Sequence, residues 1–389
     1  MSANEPPQRL SIKQLLMVMV KKDASDVYIT ADMPPSFRIN GVIYPAKQAP
    51  LNAVQCEQLA NSTMGEKQRA AFAETYEMNL ALAYPDLGRF RVNVFRQRGN
   101  VGLVIRQIKT QIPTIDDLNL PQIFKDIVMA KRGLVIMVGA TGCGKSTSLA
   151  ALIDWRNSNQ AGHIISIEDP IEFVHEHKKC VITQREVGTD TLEYETALKN
   201  TLRQAPDVIL IGEIRDRQTM EHALEFAETG HLCLSTLHAN NSNQAMERII
   251  NFFPQEMHEQ VVLNLALNLK AILSQRLVRT ADGQRTPAIE IMINTPRISD
   301  LIMKSEITKI KDTMMEGKTY GMQTFDQHLL ALWKAGRIAE EEALRHADAV
   351  NDLRLKMKMA KLEGSGDDDR TDLDQLMGST GGDSSDLKI

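Results

Sequence analysis

Apolar residues recur along this chain in two rhythms, and the change from one to the other divides it. Residues 12–22 (I-K-Q-L-L-M-V-M-V-K-K) are spaced as a short helix. Val27–Thr30 and Ser36–Asn40 predict strands, and Asn40-Gly41 predicts a hairpin turn, because both of its central positions must tolerate positive φ. Residues 52–75 carry a helical pattern. Strands are expected again at Met78–Tyr84, Arg89–Arg96 and Val101–Ile108, with turns at Pro85-Asp86-Leu87-Gly88 and Gly99-Asn100. Residues 1–108 therefore read as a compact α+β domain.

A polar, Pro-containing joint covers 109–117. Beyond it, apolar strands alternate with helices, the pattern of a parallel sheet in an α/β domain over 118–295. Leu134–Val138, Ile164–Ile167, Val208–Ile211 and Leu232–Thr236 are near-continuous apolar runs, as strands buried on both faces require. After Met257 the chain reads as mostly helical. A hairpin at Asp282-Gly283 interrupts it before the strand Ala288–Ile293. Residues 296–362 form a helical C-terminal region, and 363–389, rich in Gly, Ser and Asp, read as a disordered acidic tail.

Charge sharpens this division. The net charge is −5, and the tail from Gly364 carries seven Asp against Arg370 and Lys388, which accounts for all of it. The body is therefore neutral, which argues against broad nucleic-acid binding. No stretch approaches the ~18 consecutive apolar residues of a membrane helix. Met1–Leu10 is polar with no apolar signal segment, so a cytoplasmic location is expected. Cys56, Cys143, Cys180 and Cys233 stand far apart, and their spacing supports neither a zinc site nor a disulfide framework.

Chemistry enters at Gly139, Ala140, Thr141, Gly142, Cys143, Gly144, Lys145, Ser146 and Thr147. G-x-x-x-x-G-K-S follows an apolar strand and precedes a helical stretch (Thr147–Asn157), the context in which this motif cradles phosphates. Its glycines let backbone N–H groups point at phosphate oxygens, and the helix N-terminus adds positive dipole. Lys145 would contact the β- and γ-phosphates of ATP, and the Ser146 hydroxyl would ligate Mg²⁺.

Hydrolysis also needs an acid to handle water or metal. Ile164–Ile167 leads into Glu168-Asp169-Pro170-Ile171-Glu172, and Val208–Ile211 leads into Gly212-Glu213. Carboxylates at the carboxyl ends of parallel strands face the ligand crevice, and either strand would serve as the acidic element of a nucleotide site. Leu232–Thr236 leads to His238, with His231 just before that strand. His238 would sense the γ-phosphate, or it is a structural histidine. Arg89, Arg91, Arg96, Arg98 and Arg106 fall on two strands that should pair. They read either as a solvated, ion-paired strand face or as guanidinium groups reaching a γ-phosphate.

Three stretches make the pattern familiar: S-I-E-D-P-I-E-F at Ser166–Phe173, D-V-I-L-I-G-E-I-R-D at Asp207–Asp216 and T-G-H-L-C-L-S-T-L-H at Thr229–His238. With M-Q-T-F-D-Q at Met322–Gln327 and E-E-A-L at Glu341–Leu344, they resemble the secretion ATPase superfamily, in particular the retraction motors of type IV pili, over roughly residues 10–350. The resemblance implies a PAS-like N-terminal domain followed by a RecA-like ATPase domain, assembled as a homo-hexamer. It assigns Glu172 and Glu213 to water and metal, the latter directly or through a water, and makes His238 part of the site. It also brings N-terminal arginines to the phosphates, with Arg91, Arg98 and Arg106 as the candidates. It implies work at the pilus base, peripheral to the inner membrane, with an inner-membrane platform protein as partner.

Two departures mark a sub-type. Where the principal retraction ATPase carries two arginines, Arg297–Lys304 has Ser299 and Met303, and a long acidic tail follows Lys361. Both features resemble an accessory paralogue, so the expected function is an ATP-hydrolysing motor that promotes retraction and twitching beside a paralogous retraction ATPase. A nucleotide-binding regulator with little hydrolysis, and a nucleic-acid translocase on the same fold, are the alternatives.

Overall fold

The computed structural model describes residues 10–39, 41–108 and 111–364. Asn40, residues 109–110 of the expected joint and the tail beyond 364 lie outside the described residues. Contacts divide the chain into two units. One runs to Asp117 and takes in Gln122–Ile136 and Ser146–Leu237; the other comprises Leu118–Pro121, Met137–Lys145 and the chain from His238. The fold is α/β with both antiparallel and parallel strands.

In the first unit, β1 (Asp26–Ile29), β2 (Ser36–Ile39), β3 (Val42–Pro45), β4 (Glu77–Tyr84), β5 (Gly88–Gln97) and β6 (Asn100–Ile108) form a six-stranded antiparallel sheet of order β3-β2-β1-β6-β5-β4. On β5, Phe90, Val92 and Val94 are buried, so the alternating Arg89, Arg91 and Asn93 lie on the other face. The buried side packs with Leu16 and Met19 of helix Ile12–Lys21 and Leu59 of helix Ala53–Thr63. The stretch 52–75, expected as one helix, is two. Met64 is extended, and Gly65, also extended, caps a second helix at Glu66–Thr75, its N–H bonded to Gln68.

The same unit holds β8 (Gly162–Glu168), β9 (Cys180–Glu186), β10 (Val208–Ile211) and β11 (Leu232–Leu237), parallel in the order β11-β10-β8-β9. β7 (Gly133–Val138), buried throughout, leads into the phosphate loop. β9 was not expected: Cys180–Glu186 is an edge strand with Thr183, Gln184 and Arg185 half-buried in its middle, and so lacks the continuous apolar run of its neighbours.

In the second unit, β12 (Leu269–Arg279) and β13 (Arg285–Ile293) form a long antiparallel hairpin, in register from Ala271↔Ile293 to Arg279↔Arg285. The segment from Met257 was expected to be mostly helical, yet β12 is strand for its whole length; a pairing partner across the Asp282-Gly283 turn outweighs its local pattern. Val278 and Ala288 pack with Phe325, Leu329, Ala343 and Met357 of the C-terminal helices. Among the described residues, no helix is long and apolar enough to cross a membrane.

Candidate functional site

The phosphate loop is shaped by its glycines. Gly139, Gly142 and Gly144 have φ of +152°, +77° and +90°, a region that residues with a Cβ enter only under strain. At Gly139 the restriction is also steric, since a Cβ would lie 2.5 Å from Cys143 Sγ and 2.5 Å from the Gln275 carbonyl oxygen. The loop ends in helix Lys145–Asn159, whose N-terminal end supplies N–H groups that the helix does not bond internally. Lys145 is buried, and its Nζ donates to the carbonyls of Gly139 (2.8 Å) and Ala140 (3.1 Å). Thr141 and Gly142 are exposed at the tip, and Ser146 and Thr147 are half-buried in the first helical turn.

Gln275 of β12, which sequence reasoning missed, packs against the phosphate loop. It is buried, and its Nε2 donates to the Cys143 carbonyl at 2.6 Å. No local pattern marked it, because this segment read as helical. Burial pushes the Cys143 thiol up, with Lys145 acting against it.

His238 shares a cleft of about 550 Å³ with Gly139 and Ala140. The far wall is helix Ser242–Asn251, which contributes Gln244, Arg248 and Asn251. The structure thus brings together the loop and His238, which are 99 residues apart from Gly139 in sequence.

The acids form their own arrangement in the first unit. Glu168, at the end of β8, accepts from the Ser166 hydroxyl (2.7 Å) and Gln184 Nε2 (3.2 Å). Burial raises its carboxyl above the usual range despite those bonds. Glu172, four residues on, is exposed. Glu213 is bound by Arg215 Nε at 2.8 Å, and the same guanidinium reaches Asp169 at 3.1 Å. Tyr194, its hydroxyl raised by burial, stands over Gly212, where a Cβ would meet that hydroxyl at 3.0 Å. The Gly212 carbonyl accepts from the Thr236 hydroxyl at 2.8 Å, which ties the strand leading to His238 to the loop carrying Glu213. Glu168 is therefore the shielded acid of this group, and Arg215, which the motif reading did not single out, is the base that pairs with Glu213 and Asp169.

The arginines separate. Arg91 lies directly opposite Arg106 across the β5–β6 pair. Arg106 Nε donates to Asp26 at 2.7 Å, and Asp26 is buried, with Arg38 at 3.5 Å on its other side. Arg98 sits exposed in the turn with φ +49°. Arg89 reaches Glu186 at 3.5 Å.

Comparison with known proteins gives a consistent picture. The model of the family "Type II/IV secretion system protein" matches residues 2–349. The chain is 56% identical to the type IV pilus ATPase PilU of Pseudomonas aeruginosa, over 90% of this chain and 92% of that one. It is 40% identical to the type IV pilus retraction ATPase PilT of the same organism, over 87% and 98%. Among solved structures, the pilus retraction motor PilT with bound ADP superposes with a TM-score of 0.83 at 38% identity, covering 89% of this chain and 99% of that one.

Proposed function

The chain belongs to the type II/IV secretion system protein family, and from that membership we propose that it is an ATP-hydrolysing motor of the type IV pilus machinery, promoting retraction and twitching beside a paralogous retraction ATPase. The observation that carries this reading is the phosphate loop: three left-handed glycines at a helix N-terminus, with Lys145 behind them and His238 in the same cleft. The similarity to PilU, over nearly the whole of both chains, supports the pilus assignment.

ATP is the substrate. The backbone N–H groups of Gly139–Gly144 would take its phosphate oxygens, and Lys145 would exchange two carbonyl partners for the β- and γ-phosphates. Glu172 and Glu213 are the acids we assign to water and metal, with Arg215 orienting Glu213. The donor set suits Mg²⁺: a half-buried Ser146 hydroxyl and carboxylate oxygens, all hard ligands. Mg²⁺ would supply charge neutralisation there. Ser146 and Glu213, the latter directly or through a water, would hold it. His238 would read the γ-phosphate from across the cleft.

Arg91 lies directly opposite Arg106, whose guanidinium is paired with Asp26. From the family membership we assign a phosphate contact to Arg91, Arg98 or Arg106, made in a neighbouring subunit of a homo-hexamer. The six-stranded sheet is read as PAS-like and the parallel one as RecA-like. We place the assembly in the cytoplasm at the inner-membrane pilus base, against a platform protein, with no nucleic-acid partner.

Steady-state phosphate release by the purified chain against Lys145→Ala tests the chemistry; equal release by both would sink the ATPase reading. Deletion of the gene tests the role. Retained surface pili with lost twitching are expected, whereas loss of the pili would place the protein in assembly.

A further inference from the structure

One strand position breaks the chemistry of its surroundings. β13 is apolar and buried at Ala288, Ile289, Ile291 and Met292, yet Glu290 among them is a carboxyl group only 3% exposed. Burying a carboxyl is costly unless its oxygens are bonded, and an apolar side chain would fill the same space without that cost. Its partners show what it holds. Oε1 alone accepts from the Ser242 N–H at 2.7 Å, the Ser242 hydroxyl at 2.8 Å and the Ser274 hydroxyl at 2.9 Å.

Ser242 is the first residue of helix Ser242–Asn251, so its N–H is one that the helix cannot satisfy internally. Asn241, the cap, takes a second such group, the N–H of Gln244, at 2.9 Å. The helix begins four residues after His238 and forms the far wall of the His238 cleft. The segment between them is tied again at Asn240, whose N–H donates to Gln244 Oε1 at 3.2 Å. Fixing the helix start therefore fixes the length and direction of the short segment that presents His238.

We infer that Glu290 is a positioning residue of the ATPase site: by anchoring the start of helix Ser242–Asn251 it sets His238 against Gly139 and Ala140. It does not line the cleft and acts through His238, so the inference rests on the role given to His238 above. Misplacing a catalytic group by about 1 Å costs on the order of 100-fold in rate.

The test is a double-mutant cycle on the full chain. Glu290→Leu keeps the volume apolar and removes the anchor; Glu290→Gln keeps an oxygen that accepts from the same donors. Expected results are a fall in kcat of ~10-fold or more for Glu290→Leu with KM for ATP within ~2-fold, and recovery to within ~3-fold of wild type for Glu290→Gln. His238→Ala should be impaired, and His238→Ala with Glu290→Leu should be no slower than His238→Ala alone. A normal kcat for Glu290→Leu, or losses that add in the double variant, overturns the inference. A fully active His238→Ala would instead remove the premise about His238. Binding of a fluorescent ADP analogue reports that each variant is folded. Should Glu290→Leu fail to fold, Ser274→Ala, which removes one of the three donors, takes its place in the cycle with the same pattern expected.

Discussion

Replacing Gln275 with Leu removes the amide that donates to the phosphate loop and leaves the side-chain volume nearly unchanged. In the native chain Nε2 of this residue, 2% exposed, donates to the Cys143 carbonyl at 2.6 Å. Leaving a buried carbonyl without its donor costs about 1–3 kcal/mol. If the loop relaxes to recover that energy, its phosphate-binding shape loses population by up to ~5- to 140-fold, and the apparent affinity for nucleotide falls by the same factor. The assay is titration with a fluorescent ADP analogue, run beside urea unfolding of the same variant. The expected result is a clear loss of affinity with a small change in unfolding midpoint. Affinity within ~2-fold of wild type in a folded variant would refute the reasoning. So would a loss confined to the unfolding midpoint, since the bond would then serve the fold and not the loop.

Gly139→Ala places a Cβ 2.5 Å from a backbone oxygen and from Cys143 Sγ, so nucleotide affinity should fall by ~10-fold or more through overpacking; retained affinity in the same titration would oppose the geometry. The Cys143 thiol, buried and raised by that burial, should react with iodoacetamide much more slowly in the folded chain than in urea, and rapid labelling of the native protein by mass spectrometry would contradict this. His328 is held down to about 4 by burial, with Arg337 adding to it, and its Nδ1 accepts from the Ile289 N–H at 2.8 Å. Its folded pKa lies below the unfolded one near 6.5, so its stabilising effect is complete above ~6.5 and fades as pH falls toward 4, by ~3 kcal/mol in all. Urea midpoints from pH 7 to 4.5 should decline more steeply for wild type than for His328→Asn, and equal slopes would count against it. Arg106→Ala leaves buried Asp26 with Arg38 at 3.5 Å and the Ser25 hydroxyl at 2.8 Å, and should lower stability by ~1–3 kcal/mol; an unchanged midpoint would show that the Arg106 pair contributes nothing.

Sequence alone determined whatever depends on neighbours along the chain. The phosphate loop was legible because glycine spacing dictates backbone conformation locally, and the apolar runs at Ile164–Ile167 and Val208–Ile211 were legible because burial on both faces leaves a continuous signature. The alternation of Phe90, Val92 and Val94 likewise put Arg89 and Arg91 on one face before any register was known. Tertiary structure decided what depends on partners far away in sequence. β12 is a strand because β13 pairs with it, and that pairing sets Ser274 beside Glu290, while the bond from Gln275 to the Cys143 carbonyl joins positions 132 residues apart. The edge strand β9 is half polar, so only its neighbour β8 reveals it. Register, too, is a property of two strands, and it alone set Arg106 between Asp26 and Arg91. A motif names the groups that meet the nucleotide. The buried groups that hold them in place are drawn from other strands, and no local spacing records them.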